Sequence, residues 1–146
     1  MLVYLDMCSI QRPFDDRSQL RVRLEAEAIV IAISLIDAGQ LALLSSGALQ
    51  FETRNNPHPT HKDYALRVLR KATRFVPLSK KVEEHAKELI LDGLKPLDAL
   101  HLAFAVEGGA DYFCTCDDRF LKRARVVRSG PPKVVSPLEL IGEIAP

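Results

Sequence analysis

The sequence is poor in several residue types, and each shortage argues against a class of protein. It has 146 residues, with no tryptophan, 6 phenylalanines, 3 tyrosines and 3 cysteines. Three cysteines cannot build a disulfide framework, so we expect a reducing, cytoplasmic setting. The mainly apolar segment Ala28–Ile36 has only nine residues, one of them Ser34. Because a membrane-spanning helix needs about 20, we expect no membrane partner.

A large excess of charge of one sign is also missing. The chain has 20 Lys and Arg against 19 Asp and Glu, for a net charge of +1. Binding to nucleic acid through bulk positive charge is therefore excluded, and any such contact needs a local patch. Hydrophobic residues make up 47% of the chain and charged residues 27%, which is typical of globular proteins. The length predicts one domain over residues 1–146.

The spacing of apolar residues predicts strands that alternate with helices. Predicted strands are Leu2–Leu5, Leu41–Ser45, Phe75–Pro77, Asp111–Thr115 and Lys133–Val135. Predicted helices begin near Ser18, Ser46, Thr60, Ser79, Lys95 and Ser136. Several strands are uniformly apolar, which favours an α/β fold: a three-layer α/β/α sandwich with a mainly parallel central sheet. Ligands of such folds bind beyond the carboxyl ends of the strands.

Acidic residues fall at that edge of the predicted sheet. Asp6 ends the first strand, Asp117 follows the fourth, Glu52 lies on the helix after the second, and Asp98 lies in the first turn of a strongly apolar helix. A carboxylate on an apolar element is costly unless it is paired or binds a cation. Converging carboxylates repel one another, and a hard divalent ion such as Mg²⁺ or Mn²⁺ relieves that repulsion.

Each carboxylate also has an ordinary structural explanation. Asp6 can start a turn, Asp98 can act as a cap or helix-dipole partner, and Asp117 can cap the helix that begins near it. Glu52 can pair with a cation such as Arg54. These explanations stay open for each residue by itself, but the position of all four at one edge favours a common site.

Four motifs in order along the chain resemble PIN-domain proteins, especially VapC-type toxins. They are the strand Val3–Asp6, the Ser-led helical segment Ser45–Glu52, the segment Leu94–Ala103 and the Thr-x-Asp strand Phe113–Asp117. The last two are specific when they occur together. Many family members have a small hydroxyl residue and then Asn or Ser after the first Asp, whereas this chain has Met7 and Cys8 there.

The resemblance implies a metal-dependent endoribonuclease that cleaves single-stranded RNA with Mg²⁺ or Mn²⁺, as the toxin of a toxin–antitoxin pair. It further implies a homodimer and a cognate antitoxin that covers the acidic pocket. The implied catalytic residues are Asp6, Glu52, Asp98 and Asp117. Asp6, Asp98 and Asp117 are then metal ligands, and Glu52 is a further ligand or orients the attacking water. The Thr-x-Asp spacing favours Asp117 over Asp118.

Substrate phosphates need cations near this acidic pocket. The predicted substrate-binding residues are Ser9, Arg12, Thr115, Arg119, Lys122 and Arg123. Thr115 can alternatively position Asp117. The first basic run continues to Arg125 and Arg128. A second basic run, equally well explained as a solvated helix face, comprises Arg67, Arg70, Lys71 and Arg74.

Three other interpretations compete with these. Cys114 and Cys116 suggest zinc, but small buried thiols explain them better because too few N or S ligands remain. His101 is better explained by packing on a buried helix than by a role in the site. The alternative function is a PIN-fold RNA-binding or regulatory module with little or no catalysis, against which the intact acidic positions argue.

The apolar residues of the helix over about residues 18–38 indicate either that the helix forms an interface or that it is buried in the core. It carries apolar residues over a wide arc, namely Val22, Ile29, Val30, Ile33 and Ile36. A small domain cannot easily bury both sides of such a helix, so exposed apolar surface there would favour a homodimer.

Overall fold

The computed structural model describes residues 1–145. The strands are β1 (Leu2–Leu5), β2 (Ala42–Ser46), β3 (Arg74–Val76), β4 (Tyr112–Cys114) and β5 (Lys133–Val135). The helices are α1 (Met7–Gln11), α2 (Leu20–Asp37), α3 (Gly47–Arg54), α4 (Pro59–Leu69), α5 (Lys80–Leu91), α6 (Pro96–Glu107), α7 (Asp118–Val127) and α8 (Pro137–Ile144), with a 3₁₀ turn over Arg12–Phe14. The predicted domain ran to Pro146, which lies outside the described residues.

The strands form one parallel sheet in the order β3-β2-β1-β4-β5. The chain runs outward from β1 to β3 and then returns to β4 on the other side of β1. The order therefore reverses between β1 and β4, the place where open α/β sheets bind their ligands. The predicted three-layer α/β/α fold is confirmed.

The helix α6 lies in the middle of the core. Ala99 and the stretch 101–105 are buried, which explains why this helix is apolar on nearly every side. Gly108 follows it because the backbone there passes very close to side chains of β2 and β3: a Cβ would lie 2.5 Å from Leu44 Cδ2 and 2.8 Å from Val76 Cγ2. The close approach fixes the end of α6 against the sheet.

Two helices differ most from the sequence-based expectation. The sequence predicts no helix between the first strand and Ser18, yet α1 begins directly after β1 with Asp6 as its N-cap. Five residues are too few to show a helical period, so the cap was the only available signal. For α7 the sequence predicts only that a helix begins near Asp117. The rest of the helix was not predicted because its few buried apolar residues, Phe120, Leu121 and Ala124, stand among many basic ones.

The described helices include none that is both long and apolar enough to cross a membrane. The helix α2 is the longest candidate, but charged residues interrupt its first half, among them Arg21, Arg23 and Glu27.

Candidate active site

Asp6 stands directly at the carboxyl end of β1, at the point where the strand order reverses. Its Oδ1 accepts hydrogen bonds from the Ser9 backbone N–H at 3.0 Å and from the Cys8 thiol at 3.0 Å. Asp6 thus caps α1, one of the ordinary roles that the sequence left open. Capping takes up one carboxylate oxygen and keeps the side chain fixed at the sheet edge.

Asp117 follows β4 at the same edge and caps α7. Its Oδ1 accepts from the backbone N–H groups of Arg119 at 3.0 Å and Phe120 at 3.2 Å. The buried Thr115 hydroxyl in turn accepts from the Asp117 backbone N–H at 3.1 Å. Thr115 therefore positions Asp117, as one of its two predicted roles requires, while the Asp117 side chain stays exposed.

Asp98 and Asp117 line one cleft together with four cations. The cleft has a volume of about 480 Å³, and its cations are Lys95, Arg119, Lys122 and Arg123. None of these four forms an ion pair with another residue of the described range 1–145. The cleft thus combines acidic groups with unneutralised positive charge, an arrangement suited to a polyanion held next to a cation.

The carboxylates affect one another electrostatically. Burial raises the pKa of Asp98, and the charges of Asp117 and Asp6 raise it further. Burial also raises the pKa of Asp6, although hydrogen bonds from Cys8, Thr115 and Ser9 oppose the shift. Three carboxylates from β1, α6 and the β4–α7 turn therefore act on one region, and a nearby divalent cation would remove their mutual repulsion.

Glu52 is held in a different way from the other three carboxylates. One of its oxygens is hydrogen-bonded to Nε2 of His101, which is only 5% exposed. The other ring nitrogen of His101 lies 2.5 Å from the Tyr4 hydroxyl, and that hydroxyl lies 2.7 Å from Ser46 Oγ. The packing explanation for His101 was therefore incomplete, since this buried imidazole uses both nitrogens.

Two of the predicted substrate-binding residues face inward. Ser9 is fully buried and its hydroxyl donates to the Cys114 carbonyl at 3.0 Å. Arg12 donates to Glu25 Oε1 at 2.6 and 3.1 Å and to Asp15 at 3.0 Å. Neither side chain lines the cleft, because each is already committed to a partner inside the fold.

The ion pairs around Arg12 were missed by sequence reasoning. Glu25 is 2% exposed in the middle of α2, and Arg21 approaches it at 3.5 Å. Arg21 also binds Asp118 at 2.6 and 2.8 Å, and this pairing lowers the pKa of Asp118. Asp118 is therefore paired with α2, which strengthens the choice of Asp117 as the fourth carboxylate.

The two basic runs do not form two continuous surfaces. Arg125 binds the Val134 carbonyl and Glu139, and Arg128 binds the Ser129 carbonyl, so both lie apart from the cleft. In the second run, the side chains of three members pair locally: Arg67 with Asp63, Lys71 with Asp37, and Arg74 with the Gly108 carbonyl. Arg119, Lys122 and Arg123 remain as the cations nearest the carboxylates.

The cysteines surround Asp6 without joining one another. Cys114 is buried at the end of β4, Cys116 is half-buried, and Cys8 is exposed; all three are free thiols. Ser9 Oγ lies 3.7 Å from Cys114 Sγ and 3.8 Å from Cys116 Sγ. Of the three thiols, Cys8 thus contacts the Asp6 carboxylate, and Cys114 and Cys116 lie near the Ser9 hydroxyl beneath it.

The donor chemistry of the edge fits a hard divalent metal. Within residues 1–145, no three His, Cys, Asp or Glu side chains stand close enough to enclose a metal as they are placed. Asp6, Asp98 and Asp117 nevertheless offer carboxylate oxygens of the kind such a metal binds, and burial together with the charges of Asp117 and Asp6 raises the pKa of Asp98. Mg²⁺ keeps several of its waters and is held by one or two carboxylates, so a tight protein cage is not required.

Comparison with known proteins identifies the family. A family model described as the PIN domain matches residues 12–126. The chain belongs to the PIN domain family. Glu52, Asp98 and Asp117 lie within the matched segment, and Asp6 precedes it. PIN domains are usually nucleases, and PIN-domain nucleases generally use divalent metals.

The fold of this PIN domain also resembles a solved structure. The crystal structure of PAE2754 from Pyrobaculum aerophilum aligns with a TM-score of 0.55 at 16% sequence identity. The alignment covers 99% of this chain and 90% of that chain. At this identity the likeness shows the shared fold alone. No curated protein sequence matches the chain.

The raised pKa of Asp98 predicts a pH-dependent stability difference between the wild type and Asp98→Asn. A carboxyl whose pKa is higher in the folded state stabilises the fold below its unfolded pKa, and this contribution is lost as the pH rises through the folded pKa. We therefore expect Asp98→Asn to be at least as stable as the wild type at pH 7 in EDTA.

Denaturant unfolding at pH 7 and at pH 4.5 measures this difference. The stability advantage of Asp98→Asn should shrink as the pH falls from 7 to 4.5, because the raised pKa of Asp98 makes the folded wild type take up a proton there more readily than the unfolded chain does. A variant that is clearly less stable than the wild type at pH 7 in EDTA would show that Asp98 has a stabilising partner instead.

Proposed function

We propose that this PIN domain is a metal-dependent endoribonuclease that cleaves single-stranded RNA with Mg²⁺ or Mn²⁺. The observation that carries the proposal is the cleft in which Asp98 and Asp117 lie among unneutralised cations. Asp6 adds a third carboxylate whose charge acts on Asp98. Two kinds of charge are thus available together: carboxylates for a metal, and Arg and Lys for the RNA backbone.

Each group has a role that follows from its surroundings. Asp6, Asp98 and Asp117 would hold the metal, directly or through its waters, and Glu52 would bind or orient a water. Arg119, Lys122 and Arg123 would bind phosphates of the RNA on either side of the scissile bond. A bound divalent ion would supply a lowered pKa for the attacking water and neutralise charge on the leaving oxygen.

Cleavage of a labelled single-stranded RNA tests the function. The chain should cut the RNA in Mn²⁺ or Mg²⁺, stop when EDTA is added, and resume when excess metal is restored. A binding or regulatory module would instead retain the RNA uncut under all of these conditions, with retention depending on Arg119, Lys122 and Arg123. RNA held intact in excess metal would favour that alternative.

Metal binding predicts a rise in thermal stability. A ligand that binds only the native state stabilises it by RT ln(1 + [L]/Kd), about 2.7 kcal/mol at a hundredfold excess over Kd. We expect Mn²⁺ or Mg²⁺ to raise the melting temperature of the wild type and not that of Asp6→Asn. Asn keeps an oxygen to cap α1, so this variant should fold.

Asp118→Asn is the matched control for this measurement. It removes a carboxylate next to Asp117 that is already bound to Arg21. Its melting temperature should rise with metal as in the wild type. An equal rise in Asp6→Asn would indicate a general ion effect rather than a site.

We further propose that the enzyme is the toxin of a toxin–antitoxin pair and works in the cytoplasm. The support is the set of VapC-like motifs together with the cleft itself, which has room for an Arg side chain and is lined by Asp98 and Asp117. Such an arginine from a cognate antitoxin would satisfy the carboxylates and compete with metal. Exposed Leu97 and Val126 border these residues and offer apolar contact to a peptide.

We also propose a homodimer, through a surface that differs in part from the predicted one. Val22, Ile29 and Ile36 pack in the core, whereas Val30 and Ile31 are about half exposed, at 47% and 48%. Leu20 and Leu24 extend this exposed apolar face of α2 at 65% and 39%.

Light scattering at micromolar concentration should give twice the chain mass of 16.3 kDa. Ile31→Asp should give a folded monomer. A wild-type particle of single-chain mass would contradict the dimer.

A further inference from the structure

A buried line of hydrogen bonds connects Glu52 with the interior of the sheet. It runs from Glu52 on α3 to His101 on α6, then to Tyr4 on β1, and ends at Ser46, the last residue of β2. Ser46 Oγ also accepts from the Leu49 backbone N–H at 3.2 Å, which caps α3. The line therefore begins on α3, passes through α6 and β1, and ends at the N-cap of α3.

The protons of this line have one consistent arrangement when His101 is neutral. A Glu52 carboxylate only accepts, so His101 Nε2 must donate to it. His101 Nδ1 is then an acceptor, and the donor it requires is the Tyr4 hydroxyl. Tyr4 Oη in turn accepts from the Ser46 hydroxyl, whose oxygen already accepts from Leu49. Every donor points from Ser46 toward Glu52.

Burial leaves these side chains no alternative hydrogen-bond partners, so the donors and acceptors of the line cannot be exchanged. Tyr4 and Ser46 are fully buried and His101 is 5% exposed, so water cannot replace a missing partner. Tyr4 is itself held in place by its ring, which stacks on Phe113 at a centroid distance of 5.0 Å. The Tyr4 hydroxyl, itself held in place, thus helps to fix the tautomer and the orientation of the His101 ring.

We propose that Tyr4 and His101 are positioning residues for Glu52. The Tyr4 hydroxyl donates to His101 Nδ1 and so holds the ring in the Nε2–H form that Glu52 requires, and His101 then fixes one oxygen of Glu52. The other oxygen has no hydrogen-bond partner among residues 1–145 and is the one that can act on water or metal. The role of Glu52 rests on the proposed ribonuclease function, but the tautomer does not.

Variants that differ by a single group test the proposal. Tyr4→Phe removes the hydroxyl and keeps the stacked ring. His101→Leu removes both nitrogens, and His101→Gln restores a donor at the position of Nε2. We expect Tyr4→Phe and His101→Leu to lower kcat about tenfold or more with little change in the KM for RNA. His101→Gln should recover most of that loss.

A double-mutant cycle separates positioning from simple support of the fold. If His101 acts through Glu52, His101→Leu should cost nothing further in the Glu52→Gln background. Losses that multiply in the double variant would overturn the proposal. The cycle is run on variants whose melting curves show a folded protein, and Tyr4→Phe serves if His101→Leu does not fold.

Nitrogen NMR of the imidazole gives a readout that needs neither RNA nor metal. His101 should appear as the Nε2–H tautomer in the wild type, with an Nδ1 resonance typical of a hydrogen-bonded acceptor, and Tyr4→Phe should move that Nδ1 resonance toward the value of a nitrogen without a donor. An Nδ1–H tautomer in the wild type, or an Nδ1 resonance that Tyr4→Phe leaves unchanged, would overturn the proposal. RNA left uncut by a wild type with the expected spectra would instead count against the ribonuclease function alone.

Discussion

Asp98→Asn is expected to lower the rate of RNA cleavage by about a hundredfold or more while leaving the fold intact. Removing one group that stabilises charge in a transition state costs roughly 10² to 10³ in rate. Asp98 lies in the cleft beside Asp117, on a helix held rigid by the buried residues of the core. The amide keeps the size of the side chain but loses the charge that a metal requires. Steady-state cleavage of a labelled RNA measures the effect.

Asp92→Asn is the matched control for that variant. Asp92 is an exposed residue at the end of α5, on the stretch of chain that leads to the cleft. The same chemical change there should leave cleavage within about twofold of the wild type. Cleavage by Asp98→Asn at the wild-type rate would remove Asp98 from the metal site.

Arg12→Met is expected to lower the free energy of unfolding by about 3 kcal/mol. Breaking a buried ion pair by removing one partner typically costs 3–5 kcal/mol, because the remaining charge stays buried. Here the remaining charge is Glu25, at 2% exposure. We expect the lower end of that range because Arg21 lies 3.5 Å from the same oxygen. Urea unfolding of the two proteins measures the loss.

Two further variants identify the cause of that loss. Lys133→Met breaks an exposed pair with Glu143, and it should cost less than about 1 kcal/mol. Arg12→Met combined with Glu25→Leu removes both buried charges and should recover most of the stability. A loss below about 1 kcal/mol for Arg12→Met alone would show that Glu25 is not a buried charge.

The fold was predictable because its signals are local and repeated. Apolar runs such as Leu2–Leu5 indicated buried parallel strands, and the apolar sequence of α6 indicated a central helix. Asp6 and Asp117 were predictable as neighbours for the same reason, since both follow strands whose carboxyl ends meet at one edge. The short helix α1 left no such periodic signal.

The partners of the charged residues were harder to predict, because they depend on contacts far apart in sequence. Arg12 lies six residues after Asp6 and suggested a phosphate contact, but it binds Glu25 across the turn into α2. Glu25 stands on a helix with many charged residues, so nothing in the sequence marks it as buried. Ion pairing therefore removed one of the predicted substrate-binding residues from the site.

His101 shows the same limitation inside the site. The sequence places it one turn after Asp98 on a buried helix, and that position alone left packing as the better explanation. A buried imidazole needs partners for both nitrogens, and this requirement was the available signal. The partners themselves, Glu52 and Tyr4, lie 49 and 97 residues away and only the fold brings them together.

Incubation with a circular single-stranded RNA tests the central claim most directly, because a circle has no end from which an exonuclease can start. In Mn²⁺ or Mg²⁺ the wild type should open the circle into linear fragments, EDTA should prevent this, and Asp6→Asn should leave the circle intact. Circles that stay closed in excess metal, or that open equally in EDTA, would contradict a metal-dependent endoribonuclease built on these carboxylates.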